Sequence, residues 1–367
     1  MTRNVPCFQI AVLPGDGIGI EIMAACTQVL SLLTDRYDGF SLDLKFLEAG
    51  AAYFRRTGQD ISAEVFESCR TADAILLGAM GLPEVRFEDG TEVAPHLAMR
   101  TEFGLFAGVR PVKQYPNVPL VLKDPRAGGI DLVIIRESTE GLFAHRTTGE
   151  VIGDRVARDT LEITRQVCER LFDFAFNLAR ERKASGLPGT VTCVDKANVF
   201  RSMAFFRKIF DERSKCYPDI SAQHRYVDAM ALDLVRQPWA YDVLVMENMF
   251  GDILSDLGAG VVGGMGMAPC GEIGLEQGLF QPAHGSAPDI AGSGRANPTA
   301  MLVSASMMLR WLGERHANEQ CTLAGVELDQ LLTNGYAAGD FLPCEFGGES
   351  GTMEIADQLC ERLSAGD

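Results

Sequence analysis

The chain has 367 residues, a length typical of two domains, and 47% of them are hydrophobic, which excludes a largely disordered protein. Lys and Arg total 33 against 50 Asp and Glu, and the net charge of −17 disfavours nucleic acid and anionic membrane surfaces as partners. The same charge repels an anionic substrate, so a site for one must supply its own positive groups.

Cysteine spacing and hydropathy indicate the compartment. Ten cysteines are scattered without a CxxC pair or a Cys/His cluster at zinc spacing, which is typical of free thiols in a reducing cytosol. The N-terminal sequence MTRNVPCFQIAVLPGDG lacks the pattern of a secretory signal, and no segment has the roughly 18 uninterrupted apolar residues of a membrane span. We therefore expect a soluble, cytoplasmic protein.

The first hundred residues alternate short apolar runs with helical patterns. FQIAVLPGDGIGIEIMAACTQVLSLL predicts a buried strand, a glycine turn and a helix. LDLKFLEAG predicts a second strand, a helix follows over 62–70, and AILLGAMG is a third, buried strand. This alternation predicts an α/β fold.

The turn GDGIG is similar to a dinucleotide-binding fingerprint but does not match it. The third glycine of G-x-G-x-x-G would fall on Ile20, and no acidic residue follows the second strand convincingly. We interpret it as a tight strand-to-helix turn, which can still approach a ligand.

A second set of elements spans 106–262. It comprises LFAGVRPVK, the apolar strand IDLVIIRES, a long helix over 158–183, VTCVDKANV, another helix, and the apolar strand YDVLVMENMF. The polar segment 142–153 is predicted to be a protruding arm. From 263 the chain is glycine-rich, with a strong apolar helix over 297–312, and we expect these last residues to complete the first domain. The predicted domains are therefore 1–105 plus 263–367, and 106–262.

Three arginines lie in otherwise apolar surroundings: Arg100, Arg110 and Arg136. A buried guanidinium needs an anionic partner, and it holds a carboxylate through two parallel hydrogen bonds. That partner can be an acid of the protein or a carboxylate of a ligand, and spacing alone does not separate the two.

Three aspartates and a lysine form a second candidate set. Asp252 and Asp256 lie four apart on a predicted helix and project from one face, and Asp228 lies in YVDAM. Singly, each fits helix capping or helix-dipole compensation; together they favour a site for Mg²⁺ or Mn²⁺. Lys196 follows the strand VTCV, where it can act as a base or be a solvated loop residue.

The loop PAHGSAPDIAG, followed by RANPTA, is the most distinctive in the chain. Gly285, Ser286 and Ala287 are small enough for their backbone amides to approach a phosphate. His284 can bind a heterocycle, and Asp289 can accept from a ribose 2′-hydroxyl while repelling a 2′-phosphate, which favours NAD over NADP. The alternative is a glycine/proline surface turn.

These motifs together resemble the β-decarboxylating dehydrogenase family, which comprises 3-isopropylmalate, isocitrate, homoisocitrate and tartrate/D-malate dehydrogenases. The resemblance runs nearly end to end, through LPGDGIG, ILLGAMG, LFAGVRPVK, RESTEG, VDKAN, YVDAMALDLV, NMFGDILSDL, HGSAPDIAG and ANPTA. HGSAPDIAG and YVDAMALDLV are most similar to the isopropylmalate branch.

The resemblance implies an open α/β sheet domain that is not a Rossmann domain, with an inserted α/β domain that dimerises and carries an arm. It implies a homodimer with shared active sites, or a tetramer, acting on a small dicarboxylate. The first domain would bind NAD and the inserted one the substrate and metal. The implied roles are substrate carboxylate binding by Arg100, Arg110 and Arg136; metal binding by Asp252 and Asp256; catalysis by Lys196 and Asp228 of the partner subunit, Asp228 also as a metal ligand; and NAD binding by His284, Gly285, Ser286, Ala287, Asp289 and Asn297.

Two positions depart from the family pattern. Phe143 replaces the usual tyrosine of RESTEG-L-Y, so its hydroxyl cannot protonate C3 of the substrate; water, Lys196 or His145 would have to do so, or the substrate makes the step easy. His96 and Leu97 stand where the isopropylmalate branch has a pair of leucines for the isopropyl group, so half of that apolar patch is polar.

The resulting expectation is NAD- and metal-dependent oxidative decarboxylation of a 3-substituted malate. 3-Isopropylmalate, converted to 2-oxo-4-methylpentanoate in leucine biosynthesis, is the first choice, followed by tartrate, D-malate, homoisocitrate-type and longer alkylmalate substrates. Two alternatives belong to other classes: a catalytically weak regulatory subunit, and a metal-dependent lyase.

Overall fold

A computed structural model describes residues 5–365 of the chain. Its strands are β1 (Cys7–Gly15), β2 (Ser41–Phe46), β3 (Ala74–Ala79), β4 (Ala107–Lys113), β5 (Asp131–Glu137), β6 (Glu150–Ile152), β7 (Val156–Arg158), β8 (Thr190–Asp195), β9 (Ser221–Tyr226), β10 (Val243–Met246), β11 (Pro269–Ile273) and β12 (Gly278–Pro282). Its helices are α1 (Gly19–Thr34), α2 (Ala51–Thr57), α3 (Ala63–Thr71), α4 (Pro95–Glu102), α5 (Arg165–Ala184), α6 (Arg201–Ser214), α7 (Val227–Arg236), α8 (Asn248–Val261), α9 (Thr299–Arg315), α10 (Glu319–Ala338) and α11 (Thr352–Ala365).

Ten of these strands form one open sheet in the order β2-β1-β3-β12-β11-β4-β5-β10-β8-β9. One half of the sheet is built from both ends of the chain, because β11 and β12 return beside β3. The other half holds β4, β5, β10, β8 and β9, which come from the middle. The predicted α/β class with an open sheet is confirmed, and the sheet is not wound in Rossmann order.

The strand directions decide where ligands can reach the sheet. β1, β2, β3, β12 and β4 run parallel to one another, whereas β5, β10, β8 and β9 run the opposite way because β4 and β5 pair antiparallel. Along the strand direction, the carboxyl ends of β1 and β3 therefore lie at one end of the sheet. The carboxyl ends of β5, β10 and β8 lie at the opposite end.

Helices cover both faces. On one face α8 packs on β5 and β4; on the other, α5 packs behind β10 and β8, and α9 behind β11 and β12. The strands β3 and β10 are buried throughout, as their continuous apolar runs predict. The ten cysteines are all free thiols, and no helix within 5–365 has the length and apolarity to traverse a bilayer.

Helix boundaries were predicted well except in one case. The helix predicted over 62–70 is Ala63–Thr71, with Ser62 as N-cap, and that predicted over 297–312 is Thr299–Arg315. The helix predicted to begin at 158 begins seven residues later at Arg165, because β7 occupies 156–158 and Thr164 caps the helix by accepting from the Val167 amide.

The predicted arm is a separate hairpin. β6 and β7 pair only with each other, and all six of their residues are exposed. The hairpin extends to Arg158, five residues beyond the predicted end, because β7 is needed to pair with β6. Val151, with 74% exposure, is among the most exposed large hydrophobic residues of the described chain.

Candidate active site

Two of the three predicted arginines meet a buried acid that sequence reasoning did not identify. Arg100 on α4 and Arg110 on β4 place their Nη2 atoms 2.8 Å and 3.5 Å from Oε1 of Glu272 on β11, which is fully buried. Burial alone would raise the pKa of Glu272, but Arg100, Arg110 and Arg136 outweigh it and lower that pKa to about 2. Glu272 is therefore a carboxylate at neutral pH.

The third arginine, Arg136, holds the start of helix α8 against β5. Its Nε and Nη2 donate to Oδ1 of Asn248 at 3.0 Å and 2.7 Å, and its Nη1 donates to Asp252. This close approach requires Gly251, because a Cβ there would lie 2.6 Å from the Arg136 Cβ. Burial, reinforced by repulsion from Arg100 and Arg110, lowers the pKa of Arg136 to about 10, so it stays charged near pH 7.

The arginine cluster keeps donor capacity for a ligand. Within residues 5–365, the Nε atoms of Arg100 and Arg110 are shielded from solvent and have no hydrogen-bond acceptor. A buried donor left without an acceptor costs about 1–3 kcal/mol. An anion with several oxygens can remove that cost, so the cluster suits a carboxylate ligand.

A small cleft adjoins the cluster, and it contains Phe143, which departs from the family pattern, and Leu97, which keeps it. Leu97 and Phe143 line it together with Arg100, Thr101, Ser138, Thr139, Arg146 and Asn248. The Phe143 ring lies over the guanidinium of Arg136, whose Cζ is 5.1 Å from the ring centroid. Phe143 therefore packs against the predicted substrate arginine and brings no polar group.

His96 is half-buried beside the arginines. Its Nδ1 is shielded from solvent and has no partner in the described part of the chain. Burial, followed by repulsion from Arg100, lowers the pKa of His96 to about 3, so its ring is neutral at pH 7. A neutral imidazole can both donate and accept, which an apolar pocket wall cannot do.

The predicted metal ligands of helix α8 lie on one face, one turn apart. Asp252 is half-buried and Asp256 exposed. The helix begins at Asn248, and Glu247 caps it by accepting from the amides of Met249 and Phe250 at 3.1 Å and 2.9 Å. The two aspartates are thus not needed for the helix end, and the capping interpretation does not explain them. Burial raises the pKa of Asp256, and repulsion from Asp252 adds to the rise.

Lys196 and Asp228 form an ion pair of their own, with Nζ 2.5 Å from Oδ1. Lys196 follows β8 and Asp228 follows β9, at the end of the sheet where the carboxyl ends of β5 and β10 also lie. Asp228 lies inside the first turn of α7, and Tyr226 is the N-cap. Across residues 5–365, one chain does not bring carboxylate oxygens of Asp228, Asp252 and Asp256 within 4.8 Å of one another.

The loop with His284 and Ser286 rests on the GDGIG turn. The carbonyl of Ser286 accepts from the Ile18 amide at 2.8 Å, and the Ser286 hydroxyl donates to the Gly81 carbonyl. A Cβ on Gly17 would lie 2.0 Å from the Ser286 oxygen, so only glycine fits there. The GDGIG motif therefore supports this loop, in agreement with its interpretation as a turn.

The remaining predicted NAD residues surround this loop. Ala287 has φ of +36°, in the left-handed region that few non-glycine residues adopt. His284 Nδ1 lies 2.9 Å from the Gly285 carbonyl, and its Nε2 is shielded and has no partner within 5–365. Asp289 is exposed. This loop follows the carboxyl end of β12. Because β12 and β8 run in opposite directions, the loop and Lys196 lie at opposite ends of the sheet within one chain.

Asn297 is tied to the loop that follows α8. Its Nδ2 donates to Oε2 of Glu345 at 3.0 Å, and Oε1 of Glu345 accepts from the Gly266 amide at 3.2 Å. Glu345 was not predicted as a site residue, because nothing in the sequence around it distinguishes it from an ordinary exposed acid.

Asp16 is a second residue that the sequence interpretation missed. It is 2% exposed and accepts from the amides of Ala51, Ala52 and Gly81 at 2.8, 2.8 and 2.9 Å. It thereby joins the turns that follow β1, β2 and β3. The sequence signal that could have identified Asp16 is its position in the glycine turn GDGIG. For Glu272, the signal is an acidic residue within the otherwise apolar strand PCGEI.

A further cluster of Cys193, Asp195 and His224 has ligand atoms within 4.8 Å of one another. Arg207 donates to both oxygens of Asp195 at 2.8 Å and 2.7 Å, and His224 Nε2 lies 2.8 Å from Asp211. These groups satisfy one another, and we interpret the cluster as structural.

Comparisons with known proteins agree with the family resemblance of the sequence motifs. The family described as isocitrate/isopropylmalate dehydrogenase matches residues 9–359. A 3-isopropylmalate/3-methylmalate dehydrogenase of Methanocaldococcus jannaschii is 42% identical over 97% of this chain and 98% of its own. A 3-isopropylmalate dehydrogenase of Heyndrickxia coagulans is 39% identical over 97% of both chains.

Solved structures agree in fold. The isocitrate dehydrogenase of Methylococcus capsulatus superposes with a TM-score of 0.84 at 32% identity, covering 97% of this chain and 99% of its own. A β-decarboxylating dehydrogenase of Thermococcus kodakarensis in its apo form gives a TM-score of 0.76 at 33% identity, covering 98% and 96%.

Proposed function

The chain belongs to the isocitrate/isopropylmalate dehydrogenase family, and we propose that it oxidatively decarboxylates 3-isopropylmalate to 2-oxo-4-methylpentanoate with NAD and a divalent metal ion. Several relatives at about 40% identity over nearly their whole length are named as 3-isopropylmalate dehydrogenases. This activity would place the enzyme in leucine biosynthesis, in the cytoplasm.

The observation that carries the proposal is the buried arginine cluster with spare donors. Arg100, Arg110 and Arg136 bring three guanidinium groups to one place, where Glu272 pairs with the first two and Asp252 with the third. The unsatisfied Nε atoms of Arg100 and Arg110 suit the carboxylates of a malate.

The residues present fit a divalent ion and NAD. Asp252 and Asp256 offer hard oxygen ligands for Mg²⁺ or Mn²⁺, and a bound ion would polarise the substrate 2-hydroxyl and stabilise the enolate left by loss of CO2. His284, with its unpartnered Nε2, and the exposed amide of Gly285 fit a dinucleotide, with Ser286, Ala287, Asp289 and Asn297 around them; bound NAD would accept a hydride from C2. The exposed Asp289 would repel a 2′-phosphate, which favours NAD.

The protein's own residues then have defined tasks. The arginines orient the substrate, and Lys196 in its neutral amine form takes the proton of the 2-hydroxyl and becomes an ammonium. Asp228 at 2.5 Å then pairs with that ammonium and holds its Nζ in place. Phe143 shields the Arg136 guanidinium but has no proton to give. C3 is therefore protonated by another donor, and His145, whose Nε2 lies 3.5 Å from Glu162, is one candidate beside water and Lys196.

A second copy of the chain would complete the site. Exposed apolar side chains flank the Lys196–Asp228 pair: Val199 and Phe200 follow Lys196, and Leu232, Val235 and Ile253 cover α7 and α8, with exposures of 48–60%. A contiguous apolar surface on packed helices is typical of a homodimer interface. Pairing there would bring Lys196 and Asp228 of the partner towards Asp252 and Asp256; one chain alone does not gather Asp228, Asp252 and Asp256.

The two halves of the sheet give the proposed division of labour. Residues 1–105 and 263–367 would carry NAD, and residues 106–262 would carry the substrate, the metal and the dimer contacts, with the arm extending from this second part. A tetramer built from two such dimers is the alternative assembly.

The test is NADH absorbance with a panel of 2-hydroxy diacids, with and without Mn²⁺. We expect turnover with 3-isopropylmalate that needs both NAD and metal and releases the 2-oxo acid. A stronger response to tartrate, D-malate or a homoisocitrate-type acid would identify a different substrate within the same family. The feature that favours this second choice is His96, whose Nδ1 is shielded and unpartnered beside the arginine cluster.

Two outcomes of these experiments would assign the protein to another functional class. Silence across the whole panel would identify a regulatory subunit, for which Phe143 and His96 are the supporting features. Metal binding without NAD binding, with CO2-independent cleavage of the diacid, would identify a lyase. The intact set of arginines, Lys196 and aspartates argues against the first outcome.

A further inference from the structure

A groove lies on the face of the sheet opposite the arginine cluster. Its floor is formed by alternate residues of the same strands that build the cluster: Val109 on β4 faces the groove while Arg110 faces the cluster, and Ile273 on β11 faces the groove while Glu272 faces the cluster. The groove has a volume of about 390 Å³. It is therefore separate from the proposed active site and is divided from it only by the sheet.

The walls of the groove are apolar. Helix α5 contributes Phe174 and Leu178, and helix α9 contributes Met307 and Trp311. The groove runs between the two helices, because α5 packs behind β10 and β8, and α9 packs behind β11 and β12. A groove of this size and lining admits an aromatic or branched aliphatic group.

The charges on the rim do not cancel. Lys113 pairs with Asp329 at 2.9 Å, and Arg182 pairs with Asp131 at 3.0 Å. These ion pairs neutralise one part of the rim. Two carboxylates and one guanidinium further along α5 and α9 are not neutralised by these pairs.

Those remaining groups are Glu181 on α5, and Arg310 and Glu314 on α9. Among residues 5–365 none of the three forms an ion pair within 4.0 Å. Burial raises the pKa of Glu181, repulsion from Glu314 adds to the rise, and Arg310 opposes it. Two carboxylates and one guanidinium therefore face one another across the mouth of the groove with a net charge of −1.

We propose that this groove binds a small amphipathic monocation, with an apolar body against Trp311 and Met307 and one ammonium group between Glu181 and Glu314. Such a ligand neutralises the rim, whereas an anion would add to its excess negative charge. The apolar body gains from covering the sheet between α5 and α9.

The test uses the full chain with Trp239→Phe, because Trp311 is then the single tryptophan and reports on the groove. Three probes share a phenyl ring and differ in charge: 2-phenylethylamine, 2-phenylethanol and 3-phenylpropionate. We expect the amine to change Trp311 fluorescence saturably, with a Kd at least fivefold below that of the alcohol, and the anion to give no saturable change.

Glu181→Gln and Glu314→Gln should each weaken amine binding at least fivefold and leave binding of the alcohol unaltered. The matched control is Glu361→Gln, an exposed residue of α11 that does not line the groove, and it should bind as the parent does. Equal affinity for the three probes, no saturable response to the amine, or an equal effect of the control would overturn the proposal. A groove covered by a second copy of the chain would give the second of these results. The assay contains no substrate, metal or NAD, so its result is independent of the proposed activity.

Discussion

Arg100 and Glu272 are joined across the centre of the molecule, with Nη2 of the arginine 2.8 Å from Oε1 of the acid and both side chains at most 7% exposed. Arg100 on α4 and Glu272 on β11 are 172 positions apart in the sequence, and the contact ties the first segment of the chain to its returning end. The acid keeps Arg100 and Arg110 oriented while no substrate carboxylate is present.

Glu272→Gln should therefore be strongly destabilising. Removing the charge leaves buried guanidinium groups without their counter-ion, which costs about 3–5 kcal/mol in the free energy of unfolding. Urea unfolding measures this loss. The matched control is Glu276→Gln, which removes a surface ion pair with Arg315 and should cost at most about 1 kcal/mol. Equal effects of the two substitutions would contradict the role assigned to Glu272.

The same residue gives a pH dependence with a defined sign. Because the pKa of Glu272 is lowered from 4.5 to about 2 in the folded protein, its contribution to stability is complete above pH 4.5 and is lost as the pH falls from 4.5 towards 2. The slope of unfolding free energy against pH should be smaller for Glu272→Gln than for the parent by up to about 1.4 kcal/mol per pH unit in this range. Identical slopes would show that Glu272 is not titrating with a lowered pKa.

Asp16→Ala should loosen the three turns that its carboxylate joins. Three backbone amides lose their acceptor, and at about 1–3 kcal/mol for each buried donor we expect a loss of about 3 kcal/mol or more. Because Gly81 also accepts from Ser286, the KM for NAD should rise more than the KM for the diacid. Asp43→Ala, at an exposed position of β2, is the control and should change neither stability nor KM.

Phe143→Tyr restores a hydroxyl over the Arg136 guanidinium. We expect kcat to rise about 10- to 100-fold, which is less than the roughly 10²–10⁴-fold of a positioned general acid, because another donor already protonates C3 in the parent. Phe143→Leu removes the ring without adding a hydroxyl and should lower kcat. If the tyrosine variant turned over at the parental rate, the protonation of C3 would not limit the reaction.

His96→Leu replaces the imidazole beside Leu97 and the arginine cluster with an apolar side chain. The ratio of kcat/KM for 3-isopropylmalate over D-malate should rise about 10- to 200-fold, the discrimination that one apolar group can provide. Ala98→Ser alters an exposed residue of the same helix and should leave the ratio unchanged. A fall in the ratio would mean that His96 contributes to binding of the isopropyl group.

The shared active site can be tested by mixing two inactive variants. Lys196→Ala and Asp252→Asn should each be inactive as homodimers, but in a mixed dimer one of the two sites holds both intact residues. Random pairing makes about half the dimers mixed, each with one good site, so co-expression should restore about a quarter of the parental activity. If Lys196 and Asp252 of the same chain formed the site, no activity would return.

Pattern reasoning was sufficient where local chemistry decides the outcome. The continuous apolar runs at β3 and β10 predicted central strands because a strand buried on both faces has no polar side to show. Ile20 excluded the dinucleotide fingerprint, and the turn indeed serves as a support, since Gly17 lies under the Ser286 carbonyl. The predicted helix start at 158 was wrong because β7 occupies 156–158 and pairs with β6, a contact that helical periodicity does not encode.

The sequence by itself thus determined the α/β class, the family and the residue types of the candidate site, because these follow from periodicity, glycine turns and motifs read in order along the chain. Only the tertiary structure decided that Glu272 is the counter-ion of Arg100 and Arg110, that Asp16 joins three turns, and that one chain does not gather its three aspartates. Each of these depends on which distant segments the antiparallel pairing of β4 and β5 and the return of β11 bring side by side. Coulomb energy and hydrogen bonding act over a few ångströms of space, and separation along the chain does not enter into them.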